Sequence, residues 1–165
     1  MAIQRPEHLI IASLEPVNVG DAYEWNDKLP LHMTVMPWWG TDEQTWLVAR
    51  RLAGVASHIE TPLIIKGEND DWFGPRHDVA VRRVEPTARL MGAHSLLLRQ
   101  LVNEMAGEVL CDYIEGKDGY NPHVSYREDG RGLSKGEVAE ARDLQLITRD
   151  HENMRKTVTG SVKIG

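Results

Sequence analysis

Two of the seven histidines are followed two positions later by a hydroxyl residue, in His32-Met33-Thr34 and His123-Val124-Ser125. Residues i and i+2 of an extended strand share a face, so each triplet presents an imidazole beside a hydroxyl. Met33 and Val124 then turn the other way, into apolar packing. His8, His58, His77, His94 and His151 lack the arrangement. Displacement at a phosphodiester needs a base for the attacking oxygen and an acid for the leaving one. Imidazole serves in both roles, because its ordinary pKa is about 6.5. Two imidazoles on opposite sides of phosphorus would supply one of each. The hydroxyls of Thr34 and Ser125 would then donate to the non-bridging oxygens as negative charge accumulates there. Such a scheme requires no metal and no cofactor.

The elements that position these triplets are legible from hydrophobic pattern. His8 to Ser13 reads as a short buried strand ended by the breaker Pro16, and residues 17–30 carry no regular pattern. Leu31 to Trp38 reads as the strand of the first triplet, with Pro37 near its end. Thr41 and Gln44 suggest a capping box for a helix reaching about Ser57, with Trp46, Ala49, Leu52, Ala53 and Ala56 facing inward. Pro62–Lys66 reads as a strand, followed by a polar, turn-rich stretch through Asn69, Asp70, Gly74 and Pro75. Asp78–Val84 alternates as a strand should. A strong helical pattern runs from Thr87 through Leu90, His94, Leu97, Leu98, Leu101 and Met105, ending by Gly107, with His94 as a core residue on its apolar face. Pro122–Tyr126 forms the strand of the second triplet. Ser134–Leu144 reads as a short helix, and Gln145–Thr148 and Thr157–Ile164 as closing strands. Strands and helices mix without regular βαβ repetition, which predicts an α+β fold with a mainly antiparallel sheet and helices packed outside.

With these features the chain resembles the 2H phosphoesterase family, which includes 2′-5′ RNA ligase-like proteins and RNA cyclic phosphodiesterases. The resemblance is carried by Leu-His-Met-Thr-Val-Met-Pro at 31–37 and Asn-Pro-His-Val-Ser-Tyr at 121–126. It extends to the Phe73-Gly74 turn, the Asp78–Val84 strand and the Leu90–Met105 helix between them. It implies one domain over residues 1–165, built of two pseudo-symmetric lobes around a central cleft. It also implies that His32 and His123 are catalytic and that Thr34 and Ser125 bind phosphate. On this basis His123 is expected as base and His32 as acid in opening a cyclic phosphate, the reverse reaction exchanging the roles. Tyr120 and Arg127, beside the second motif, and Trp38, after the first, are candidates for substrate contact; Trp72 and Phe73 are candidates for the rim. Two departures are visible. Residues 17–30 lack the helix that many members carry there, and Arg127 stands one residue closer to the second motif than the family's arginine.

Whole-chain properties narrow the substrate. The 165 residues are 41% hydrophobic and 27% charged, as in ordinary globular domains, with a formal charge of −6. Proteins that grip extended nucleic acid usually present a strongly basic face. The acidic balance therefore favours a small nucleotide or an RNA end over a long duplex. Arg82, Arg83, Arg89 and Arg99 form a possible local basic cluster in sequence. Leu9–Ala12 is too short to span a bilayer, and no membrane partner is expected. The single Cys111, read as inert, fits a reducing, cytoplasmic setting. The expected function is a metal-independent phosphodiesterase acting on a cyclic or 2′-5′ phosphodiester. The alternatives are a hydrolase of cyclic oligonucleotide signals, as in phage members of the family, and a non-catalytic nucleotide-binding protein.

Overall fold

The computed structural model describes residues 5–110 and 119–165; Cys111 lies outside them. The described residues form an antiparallel sheet of ten strands and two helices. The strands are β1 (Glu7–Ser13), β2 (Ala22–Glu24), β3 (His32–Gly40), β4 (Leu63–Phe73), β5 (Val79–Val84), β6 (Glu108–Val109), β7 (His123–Ser125), β8 (Val138–Ala141), β9 (Asp143–Asp150) and β10 (Arg155–Lys163). The helices are α1 (Thr45–Ala56) and α2 (Ala88–Leu97), the latter continued by a π-helical turn over Leu98–Val102. The sheet order is β2-β10-β9-β1-β3-β7-β5-β4-β8, with β6 added to β3. This is the expected α+β class. No helix among the described residues is long and apolar enough to cross a membrane.

The two faces of the sheet differ. Ile10, Ala12, Met33, Val35, Met36 and Val124 pack against Val48, Leu52 and Val55 of α1 and Leu90, Ala93 and Leu97 of α2. Leu9, Ile11, Ile147 and Val158 point the other way and are covered by Leu29, Tyr23 and Trp38 rather than by a helix. β1 is thus apolar on both sides, which explains its unbroken Leu-Ile-Ile-Ala run. His32 and Thr34 flank the buried Met33, and His123 and Ser125 flank the buried Val124, so both triplets lie on the face opposite the helices.

Several local expectations are corrected. Pro37 does not end its strand: β3 runs on to Gly40. Between the pairs Ile10↔Met36 and His8↔Trp39, β3 carries one residue more than β1, so the proline sits in a bulge where no ladder hydrogen bond is asked of it. Because the strand continues, Thr41 is not the cap of α1. Its buried hydroxyl donates to the Met105 carbonyl at 2.7 Å, and the helix starts at Thr45 behind Gln44. The inward stripe shifts accordingly to Val48, Leu52, Val55 and Ala56, leaving Trp46 61% exposed.

The polar stretch after Lys66 is strand through Phe73, and the expected turn is confined to the residues after it, Gly74 and Pro75 among them. β4 pairs with β8 over Leu63–Lys66 and with β5 at Gly67 and again from Asp70 to Phe73; exposed Glu68 and Asn69 fall in the irregularity between, and exposed Asp70 pairs with Arg82. Ser134–Leu144 is not a helix. Val138–Ala141 pairs with β4, and backbone pairing with a waiting edge outweighs the helical preference of its alanines and glutamate. The second helix begins as expected, Thr87 capping it by accepting the Leu90 N–H at 3.2 Å.

Candidate active site

Met33 and Val124 are directly opposite across the antiparallel β3–β7 seam. Extending that register by one residue each way sets His32 opposite Ser125 and Thr34 opposite His123. Directly opposed side chains stand about 5 Å apart at Cβ. The four residues therefore form a square on one face of the sheet, with the imidazoles on one diagonal and the hydroxyls on the other.

Both rings are held in the same way. His32 Nδ1 donates to the Pro30 carbonyl at 2.7 Å, and His123 Nδ1 to the Asn121 carbonyl at 2.8 Å. A carbonyl only accepts, so each neutral ring must carry its proton on Nδ1 and leave Nε2 bare. Desolvation lowers both imidazoles from their ordinary value, against the opposing effect of the carbonyl bonds. His32 is lowered further by the charges of His123, Lys156 and Arg127. His123 is lowered further by Arg83, which pairs directly opposite it on β5. As whole residues both histidines are half-buried, as are Thr34 and Ser125. The arrangement offers two imidazole Nε2 atoms free to take up or give a proton, two hydroxyls and a surrounding set of cations. It suits an anionic substrate that must exchange protons at two of its oxygens.

The other candidates fall into place around this square. Phe73, at the end of β4, stands edge-on to His123 with centroids 4.6 Å apart, and its face receives the Arg83 guanidinium at 5.5 Å. Trp72 points to the opposite side of the strand and is 56% exposed. Tyr120 lies beneath the site rather than in it. Its hydroxyl donates to the Thr34 carbonyl at 2.6 Å and its ring stacks on His94 at 4.2 Å. Burial raises its phenol well above the ordinary value. His94 in turn donates to the Val35 carbonyl at 2.7 Å, so this buried pair fixes the backbone that carries Thr34. Trp38 carries the Arg149 guanidinium over its ring at 4.1 Å. Arg127 donates from Nη1 to the Leu29 carbonyl.

The arginine cluster suggested by sequence does not assemble. Arg82 and Arg83 alternate across β5, so Arg82 faces away and donates to the Leu133 and Glu68 carbonyls at 3.0 and 2.9 Å. Arg89 pairs with Glu60 at 2.9 Å, and Arg99 caps its own helix at Ser95. Of the four, Arg83 stands at the site, where it also pairs with Asp71 at 2.6 Å. Lys156 was not legible as a site residue, although its parity with the buried Val158 places it on the site face.

No family model matches the sequence, and no curated protein matches it. Solved structures do, over nearly the whole length. Escherichia coli LigT complexed with phosphate is 11% identical, covering 98% of this chain and 99% of its own, with a TM-score of 0.58. A structure described as a phosphoesterase is 12% identical, covering 97% of each chain, with a TM-score of 0.56. LigT complexed with 3′-AMP is 11% identical, covering 98% and 96%, with a TM-score of 0.54. At such identity the likeness is one of fold. The chain has the α+β fold of these phosphoesterase structures, which is the fold that the sequence resemblance led us to expect.

Proposed function

We propose that this protein is a phosphodiesterase that opens a cyclic or 2′-5′ phosphodiester in a small nucleotide or at an RNA end, by acid–base catalysis from His32 and His123. The observation that carries the proposal is the matched pair of imidazoles, each locked with Nε2 bare and set diagonally across a square shared with two hydroxyls. The fold likeness to LigT, seen with phosphate and with 3′-AMP, supports a nucleotide phosphate as ligand.

In hydrolysis of a 2′,3′-cyclic phosphate, one neutral Nε2 takes a proton from water as its oxygen bonds to phosphorus. The ribose oxygen on the far side leaves and takes a proton from the other ring, which enters the step as imidazolium. Thr34 and Ser125 donate to the non-bridging oxygens of the five-coordinate state, and Arg83, Lys156 and Arg127 hold the local potential positive. The product is a monoester, and proton exchange with solvent restores the two rings. No metal takes part in this scheme. Phosphorus NMR of the wild type with 2′,3′-cyclic AMP, a 2′-5′ dinucleotide and cyclic di- and trinucleotides, all in EDTA, tests it. One of these is expected to be converted to a single monoester or linear product. A panel left wholly intact would sink the proposal.

A further inference from the structure

Arg127 and the turn it opens reach back from the second histidine motif to the segment that orients the first. The Arg127 N–H donates to the Arg131 carbonyl at 2.8 Å, and the Gly130 N–H returns to the Arg127 carbonyl at 3.0 Å, closing a tight turn. From that turn the Arg127 side chain donates to the Leu29 carbonyl. Arg131 pairs with Glu15, whose other oxygen accepts the Leu31 N–H at 3.1 Å. In the opposite direction, Lys28 Nζ donates to the Tyr126 carbonyl at 3.3 Å. The residue between Leu29 and Leu31 is Pro30, whose carbonyl holds His32 Nδ1 at 2.7 Å. The Pro30 carbonyl shares its peptide with the Leu31 N–H, while the peptide before it, which carries the Leu29 carbonyl, has no N–H because residue 30 is proline, so the placement of Pro30 depends on the neighbours on either side. Both of those neighbours are tied to the turn at residues 127–131.

We infer that Arg127 is a positioning residue, not a phosphate ligand, and that with Glu15 and Arg131 it fixes the Pro30 carbonyl so that His32 keeps its proton on Nδ1 and its Nε2 bare. This rests on the proposed role of His32 for its kinetic consequence, but not for its structural one. Glu15 makes the inference testable. A carboxylate contributes nothing attractive to a bound phosphate, so a defect from its removal cannot come from a lost ligand. His123 supplies an internal control, since its ring is held by Asn121 and owes nothing to this clamp.

Nitrogen–proton NMR of the histidine rings reads the tautomer without any substrate. In Arg127→Ala and in Glu15→Ala, His32 is expected to leave the Nδ1–H state for a mixture, while His123 keeps its wild-type signals and thereby reports an intact sheet. Arg127→Lys, which can still donate to the Leu29 carbonyl, is expected to restore the wild-type pattern in large part. With the cleaved substrate, both alanine variants are expected to lose about 10- to 100-fold in kcat, the scale of a misplaced catalytic group, with little change in KM. An unchanged His32 tautomer in both variants would overturn the inference. So would a raised KM at constant kcat in Arg127→Ala with Glu15→Ala kinetically normal, which is the signature of a phosphate ligand. A wild type that cleaves nothing would remove the proposed function, yet the NMR result would still decide whether the clamp sets His32.

Discussion

His32 and His123 are each oriented by a carbonyl two residues upstream, so neighbouring charge and burial, not an orienting carboxylate, set their protonation. Both are lowered from the ordinary histidine value by desolvation and nearby cations. The base must be unprotonated and the acid protonated, so the rate should be bell-shaped in pH, with its optimum below the usual histidine range of about 6.5. Lys156→Met removes a positive charge near His32 and makes its protonation easier. The limb of the profile that moves to higher pH then identifies the role of His32: the acidic limb if it is the base, the alkaline limb if it is the acid. The hydroxyls give a separate prediction. Thr34→Val and Ser125→Ala should each lower kcat about 100-fold, the usual scale for deleting one donor to a developing oxyanion. A loss confined to KM would mean that they bind substrate without stabilising the transition state. The two triplets were legible because strand parity alone puts i and i+2 on one face. Arg83 and Lys156 were less so, because their relevance depends on which strands lie beside β7 and on how a distant strand is phased.

At the scale of elements, the site is a seam between β3 and β7, and its geometry depends on what holds the neighbouring strands. β4 exchanges its partner from β8 to β5 at Gly67, which lies under the turn before β8. The Gly67 N–H donates to Glu137 at 2.9 Å, and Gly136 donates back to Gly67 at 2.8 Å. A Cβ at Gly67 would strike the Ser134 carbonyl, a backbone atom that cannot yield as a flexible side chain would. Gly67→Ala is therefore expected to cost about 1–3 kcal/mol in urea unfolding, and an unchanged midpoint would show that the turn can move aside. Strand identity was readable from an unbroken apolar run in β1 and from alternation in β3 and β5. It failed for the second half of β4 and for β8, where polar or helix-favouring sequences are held as strands by hydrogen bonds to a partner far along the chain.

Across the whole molecule, an acidic chain of formal charge −6 surrounds its histidine pair with Arg83, Arg127 and Lys156. Composition foretold the overall charge but not this local reversal, which arises only when distant strands meet. Inorganic phosphate should therefore bind at the site and raise Tm in proportion to the logarithm of its concentration. The histidines also couple folding to pH. His8 is buried, accepts or donates at Thr148 Oγ1 at 3.0 Å, and is lowered by desolvation to about 4. The unfolded chain binds that proton near pH 6.5, so between about 6.5 and 4 it holds more protons than the folded one. Stability from this residue is then full above about pH 6.5 and falls on acidification, by roughly 3 kcal/mol at the bottom of the range. His8→Leu should flatten the fall in Tm between neutral and acid pH. An equally steep fall would assign the acid sensitivity to other groups.

The most direct test of the account is the turnover of the best cleaved diester, with EDTA present, by the wild type and by His32→Ala and His123→Ala. Each substitution is expected to lower kcat/KM by about 10²–10⁴-fold, while both variants keep the wild-type unfolding midpoint and still bind phosphate. Activity that survives either substitution within a few-fold would contradict the two-histidine mechanism and place the chemistry elsewhere on the molecule.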